Sequence, residues 1–362
     1  MPLPHFGPRL ALAATGVLAL VLQLLLHSPT PAGTRDTLPR ELADHDFWSL
    51  IEQISEPDGS FRSNSGSPDN LLSNESMVST VAALVADRVK PSGVYLGVGP
   101  EQNFTYIAAI RPRIAFITDI RRGNLHLHLM YKALFEMSAN RSDFVARLFT
   151  RKRPASLSRR STAAQLMNAY LRTGPDDETT YQANLRSITE HLTRTRGLPL
   201  GAEDLAGIEY VYRHFHRFGP AINYTSSING RSGSAISYAS IMSAADRVSG
   251  EEHGYLATED NFAAVKALQS KNLIVPVVGD FAGPKALRAV GDYLESHGAT
   301  VTAFYVSNVE MYLQRNGVWS AFCANVAALP LDTASIFIRP NAGRSRQFGT
   351  MAMETGGCNG QR

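Results

Sequence analysis

Gly93-Val-Tyr-Leu-Gly-Val-Gly-Pro-Glu-Gln-Asn103, followed by Ile114-Ala-Phe-Ile-Thr-Asp119, reads as a strand, a glycine turn, a helix start, a second strand and an acid. The apolar run from Val94 enters a turn at Gly97 and Gly99, where missing Cβ atoms let backbone amides come close to a ligand. A helix is expected to start around Glu101, its free N-terminal amides facing the same spot, so Gly97, Gly99, Glu101 and Asn103 are candidate cofactor-binding positions. Asp119 lies 20 residues beyond Gly99, where a carboxylate accepts hydrogen bonds from both hydroxyls of a ribose. A dinucleotide fingerprint would carry a third glycine at position 102. The chain has Gln102, which disfavours a nicotinamide or flavin dinucleotide and leaves a smaller nucleoside. The competing reading is a tight strand-to-helix turn with no ligand.

Outward from this stretch the pattern is that of an α/β fold. Val78, Val81, Val85 and Val89 repeat at helical spacing before the first strand, and Leu125, Leu129, Ala133, Leu134 and Met137 give the helix after Asp119 an apolar side. Residues 140–257 then interrupt the alternation with helical segments near 163–172, 177–195 and 202–218, an insertion expected to face the substrate. Alternation resumes with Thr258 as helix N-cap, the strand Leu273–Val278, the turn Gly279-Asp280-Phe281-Ala282-Gly283, a helix from Pro284 to Gly298 and the strand Thr300–Val306. Ala334–Ile338 is a further strand. Pro276 cannot donate to a central ladder, so its strand is expected at a sheet edge, which the order 3-2-1-4-5 provides.

At 362 residues, 44% hydrophobic and 19% charged, the chain can bury a large core, as one domain with an insertion or as two. Leu10–Leu26 is an uncharged stretch between Arg9 and a Pro and Ser rich segment, so residues 1–32 read as a signal peptide or membrane anchor, with Ala32 a poor cleavage site. The protein is therefore expected to be exported, periplasmic or secreted, or held at the membrane. Residues 33–76 have linker composition, with a short helix near Phe47–Ile54; 77–340 form the α/β domain and 341–362 a C-terminal tail. A net charge of +3 gives no strong nucleic-acid signal, although Phe144–Pro175 contains no acid and several arginines, a run that reads as a solvated surface or as a contact for phosphates or anionic lipid. Cys323 and Cys358 exclude a disulfide-dense scaffold and either pair or are two unrelated thiols.

The blocks Tyr95-Leu-Gly-Val-Gly-Pro-Glu-Gln-Asn-Phe-Thr-Tyr106, Asn272-Leu-Ile-Val-Pro-Val-Val-Gly-Asp-Phe-Ala-Gly-Pro-Lys285 and Ala303-Phe-Tyr-Val-Ser-Asn-Val-Glu310 resemble a family of uncharacterised bacterial proteins with a class I S-adenosylmethionine-dependent methyltransferase-like fold. The resemblance covers about residues 77–340 and implies a Rossmann-like sheet with helices on both faces and a large helical insertion. It carries no reaction with it. In class I methyltransferases generally, the acid after the third strand touches the adenine amino group, which points to Asp280, with Phe281 on the adenine face. The end of the fourth strand commonly faces the reacting methyl group, which points to Ser307, Asn308 and Glu310, with Glu310 as base and Asn308 as orienting group. Asn308 as a helix cap and Glu310 as a first-turn acid are the structural alternatives. The acid usual before the first glycine is replaced here by Leu96 or Tyr95, so Glu101 is left to meet the methionine ammonium group.

His126 with His128, and His214 with His216, sit two apart in helical segments and point to opposite sides, which makes poor metal chelates and favours packing or surface roles. Zincin and nucleophile-elbow motifs are absent. Three functions stay open: a methyltransferase with S-adenosylmethionine as cofactor and a small-molecule, lipid or protein substrate; a non-catalytic exported or anchored domain that keeps the fold; and an enzyme using the crevice for another nucleotide.

Overall fold

The computed structural model describes residues 1–2, 36–60, 69–228, 233–340 and 347–356. The chain divides into Met1–Asp36 and Thr37–Arg362, and the sheet, its helices and the cavity below belong to the second unit. Leu10–Leu26 and Ala32 lie outside the described residues, among which no helix is long and apolar enough to cross a membrane.

The elements run α1 (Asp44–Ile54), α2 (Val78–Ala86), β1 (Val94–Val98), α3 (Gln102–Ile110), β2 (Ile114–Asp119) and α4 (Arg122–Met137). The insertion carries α5 (Arg141–Phe149), α6 (Ala163–Leu171), α7 (Glu178–Glu190, continued by a π turn His191–Thr195), α8 (Ala202–Phe218) and α9 (Tyr238–Met242). Then follow α10 (Glu259–Ser270), β3 (Ile274–Val278), α11 (Ala286–Ser296), β4 (Val301–Tyr305), α12 (Val309–Arg315), α13 (Trp319–Ala327), β5 (Leu331–Ile338) and α14 (Met351–Gly356). The five strands make one sheet in the order β3-β2-β1-β4-β5, all pairs parallel. The fold is Rossmann-like α/β, and the near-continuous apolar runs of β1, β2 and β3 are those of strands covered on both faces.

Pro276 sits on the edge strand β3, opposite Ile117. Gly279 N donates to Asp119 O (2.8 Å), so odd-numbered residues of this strand turn their N–H groups toward β2 and even-numbered ones turn outward. On the outer side Val278 N donates to Ser55 Oγ (3.1 Å) and Glu56 N donates to Val278 O (2.7 Å). The missing N–H of Pro276 therefore costs the β2 ladder nothing. At the other edge Phe337 N and Arg339 N donate to Gly349 O and Gln347 O, so the returning chain covers β5.

The segment of linker composition is partly built into the body. Thr258 caps α10 as expected, its Oγ1 accepting from Asn261 N (3.1 Å), but α1 does more than its surroundings suggested. Phe47, Trp48, Leu50, Ile51 and Ile54 are buried on one stripe of it, each contributing about 1.5–3 kcal/mol of burial. Met351 of the expected tail is likewise buried. Cys323 on α13 is disulfide-bonded, and Cys358 lies outside the described residues.

The insertion packs sideways. Ile208, Val211, Tyr212 and Phe215 of α8 are buried, and α8 lies against α4 and α5. Buried Arg141 ties the start of the insertion to its end, donating to Leu256 O and Ala257 O and pairing with Glu259. Of the acid-free run, Arg147 pairs with Asp143 and Arg151 donates to Phe149 O, while Lys152, Arg153, Arg159, Arg160 and Arg172 are exposed.

Candidate functional site

β1 leads the chain to Gly99, whose φ of +73° is a left-handed conformation that glycine adopts without strain. A Cβ there would find space, its nearest neighbours being Asn70 Nδ2 at 3.7 Å and Asp119 Oδ2 at 3.9 Å. Gly97 is needed for another reason, because a Cβ on it would stand 1.9 Å from Asn103 Oδ1. The Asn103 amide donates to the carbonyls of Val98 (2.9 Å), Gly99 (3.2 Å) and Pro100 (2.7 Å), and its oxygen accepts from the Tyr95 hydroxyl (2.8 Å). Gly97 and Asn103 thus shape the turn from within the fold, and Gly99 presents it. Buried His128 secures the same loop: Gly99 O can only accept, so Nε2 donates to it at 2.9 Å. Burial drives the His128 pKa down to about 4, against the smaller raising effects of that hydrogen bond and of Asp119.

A cavity of about 620 Å³ opens at the carboxyl ends of β1 to β4, and Gly99, Asp119, Asp280, Phe281 and Asn308 all line it. Parallel strands bring these five positions, far apart in the chain, to one rim. Asp119 is almost fully buried, and the Arg121 backbone N–H (3.0 Å) and side-chain Nε (3.1 Å) both donate to its Oδ1. Asp280 accepts from Ala282 N (2.9 Å) with one oxygen. The Phe281 ring packs on Phe304 (4.9 Å) and Phe322 (6.0 Å) and is only 3% exposed, so it belongs chiefly to the core behind the cavity. Asn308 is exposed and precedes α12 without capping it through its side chain.

Glu101, Gly97, Asn103 and Glu310 are not among the lining residues. Glu101 is fully buried beside Ser73 N, and burial raises its pKa to about 8, with the Glu75 charge adding to the rise and backbone hydrogen bonds opposing it. Both Glu310 oxygens accept from the Arg339 guanidinium (2.5 and 2.8 Å), which also binds Glu354. That pair absorbs the acid expected to act as base. Of the insertion, Tyr224 lines the cavity among the described residues.

Sequence reading missed the wall built by residues 70–75. Asn70 and Ser73 line the cavity, and Glu75, 1% exposed, lies behind it with three donors: Gln102 Nε2 (2.5 Å), the Tyr305 hydroxyl (2.8 Å) and Ser307 Oγ (2.5 Å). Linker composition hid these residues, since Ser, Asn and Glu there carry no periodicity. Glu56 was hidden in the same way; its carboxylate accepts from the N–H groups of Asp280, Lys285 and Ala286 and so closes the N-terminus of α11. The paired histidines have structural partners: His126 Nε2 lies 2.9 Å from Asp204, and His214 Nδ1 lies 2.9 Å from Tyr210 O. Among the described residues, no group of three or more His, Cys, Asp or Glu is placed to hold a metal ion.

A family model described as a domain of unknown function, DUF7790, matches residues 71–217 and 229–358. No curated protein matches the chain.

Proposed function

We propose, for a chain that belongs to the DUF7790 family, that the cavity is a nucleoside site whose preferred occupant is S-adenosylmethionine, and that the protein is a methyltransferase. The observation that carries this is the meeting of Gly99, Asp119 and Asp280 around one cavity, with a carboxylate and a carboxamide in van der Waals reach of the Gly99 Cβ position. Asp119 would hold the ribose hydroxyls and Asp280 the adenine amino group, with Arg121 sharing Asp119 when a ligand is present. The bound compound would supply a methyl group already activated on a sulfonium. Asn308 would orient the acceptor from the end of β4. A domain that keeps the nucleoside site without catalysis is the second reading, favoured by the engagement of Glu310 with Arg339. Export would part the protein from a cytosolic metabolite, whereas an uncleaved anchor with the domain in the cytosol would not.

Titration calorimetry of the purified protein with S-adenosylmethionine and S-adenosylhomocysteine tests the assignment. Asp119→Ala should weaken binding about tenfold to more than a hundredfold, roughly 1.5–3 kcal/mol. Absence of heat with both compounds at millimolar concentration, from a folded sample, would sink the adenosyl reading.

A further inference from the structure

The wall between β4 and residues 73–75 holds a serine and a carboxylate in a relationship that the nucleoside reading does not use. Ser307 lines the cavity and is half-buried, while Glu75 behind it is almost completely enclosed. Ser307 Oγ donates to Glu75 Oε1 at 2.5 Å, a short charge-assisted contact, so the lone pairs of that hydroxyl are left for another donor. Ser307 also holds φ at +50°, a left-handed conformation that is costly for a non-glycine residue and persists where surrounding structure enforces it.

We propose that Ser307 is a catalytic residue of this cavity, its Oγ accepting the proton of a bound acidic hydroxyl, a phenol or an enol, while its own proton passes to Glu75. The bond from hydrogen to the ligand oxygen breaks and its electron pair stays on that oxygen. Ser307 is a hydroxyl before and after, Glu75 changes from carboxylate to carboxylic acid, and its negative charge appears on the ligand atom. Glu75 acts through Ser307 and is a positioning residue that stores the proton. The titratable groups around Glu75 are Tyr95, Glu101, Tyr106 and Tyr305. Burial raises its pKa, against the lowering effects of Ser307, Gln102 and Tyr305, which moves its proton exchange toward neutral pH. The ligand class is a compound with an acidic hydroxyl, a phenol or an enol, and the pair supplies the base that Glu310, held by Arg339, does not.

The proposal rests on this cavity holding a ligand but not on that ligand being an adenosyl compound, so the calorimetry above can fail while the proposal stands. A fluorophosphonate probe tests it on the full chain, because the loss of the Oγ proton to Glu75 that makes Oγ basic toward a ligand hydroxyl also makes it nucleophilic: Oγ attacks phosphorus, fluoride leaves, and the hydroxyl proton passes to Glu75. Mass spectrometry should find one adduct on the peptide containing Ser307, formed at a rate that rises with pH through a single inflection above the ordinary glutamate range. Glu75→Gln should slow labelling at least tenfold and remove the inflection, whereas Tyr305→Phe, which removes a donor that lowers the Glu75 pKa, should move the inflection upward and keep the rate above it within a few-fold. No adduct at Ser307 between pH 5 and 9, or equal rates for wild type and Glu75→Gln, overturns the proposal, as does a Tyr305→Phe loss as large as that of Glu75→Gln. If Glu75→Gln does not fold, the wild-type profile decides, and a rate independent of pH overturns it.

Discussion

Two glycines two residues apart do different work, and single substitutions separate them. Gly97→Ala forces a methyl group into Asn103, which is itself anchored by three carbonyls and Tyr95, so about 1–3 kcal/mol of stability should be lost in a urea titration. Gly99→Ala has space for its methyl group and carries only the left-handed backbone penalty of about 1–2 kcal/mol, but places that methyl beside Asn70 and Asp119, so nucleoside binding should suffer more than for any other glycine of the turn. Two buried titratable groups next to this loop bend the stability profile in opposite directions. His128, held down at about 4, favours the folded state above its unfolded pKa near 6.5, and that contribution is lost as pH falls from there toward 4. Glu101, held up at about 8, favours the folded state below its unfolded pKa near 4.5, and that contribution is lost as pH rises through 8. Stability should therefore decline between pH 6.5 and 8, and Glu101→Gln should flatten that limb when melting temperature is followed against pH.

At the scale of elements, what was legible was whatever has a period or an end signal. The strands at 94–98 and 114–119, the cap at Thr258 and the edge position of Pro276 follow from apolar runs and from the missing donor of proline. The carboxyl-end rule then brought Asp119, Asp280 and Asn308 to one rim. What escaped has no such signal: Glu56, Asn70 and Glu75 act through tertiary contacts from a segment of loop composition, and the pairing of Glu310 with Arg339 joins residues on separate elements. The insertion was expected over the ligand, but the apolar stripe of α8 directs it against α4, and position 224 is its share of the cavity among the described residues. Glu56→Ala should leave three N–H groups at the start of α11 and its preceding loop without their acceptor, costing about 1–3 kcal/mol in denaturant unfolding.

For the molecule as a whole, the compact unit starts at Thr37, whose N–H donates to His297 O (2.8 Å), followed by buried Leu38 and Leu42. A chain beginning at Asp36 should unfold in one cooperative thermal transition. Beginning at Asp58 instead removes the apolar stripe of α1 and the cover of the β3 edge, and should yield an aggregating product. The cavity's position at the rim of a parallel sheet, with Gly99 between Asp119 and Asn70, is the basis for assigning a nucleoside to it. The most direct measurement is a crystal structure of the chain from Asp36 grown with S-adenosylhomocysteine. The ribose is expected on Asp119 and the adenine against Asp280, in a protein whose sheet is unchanged. Crystals grown at saturating ligand that show the compound elsewhere, or an empty rim with Arg121 still on Asp119, would contradict it.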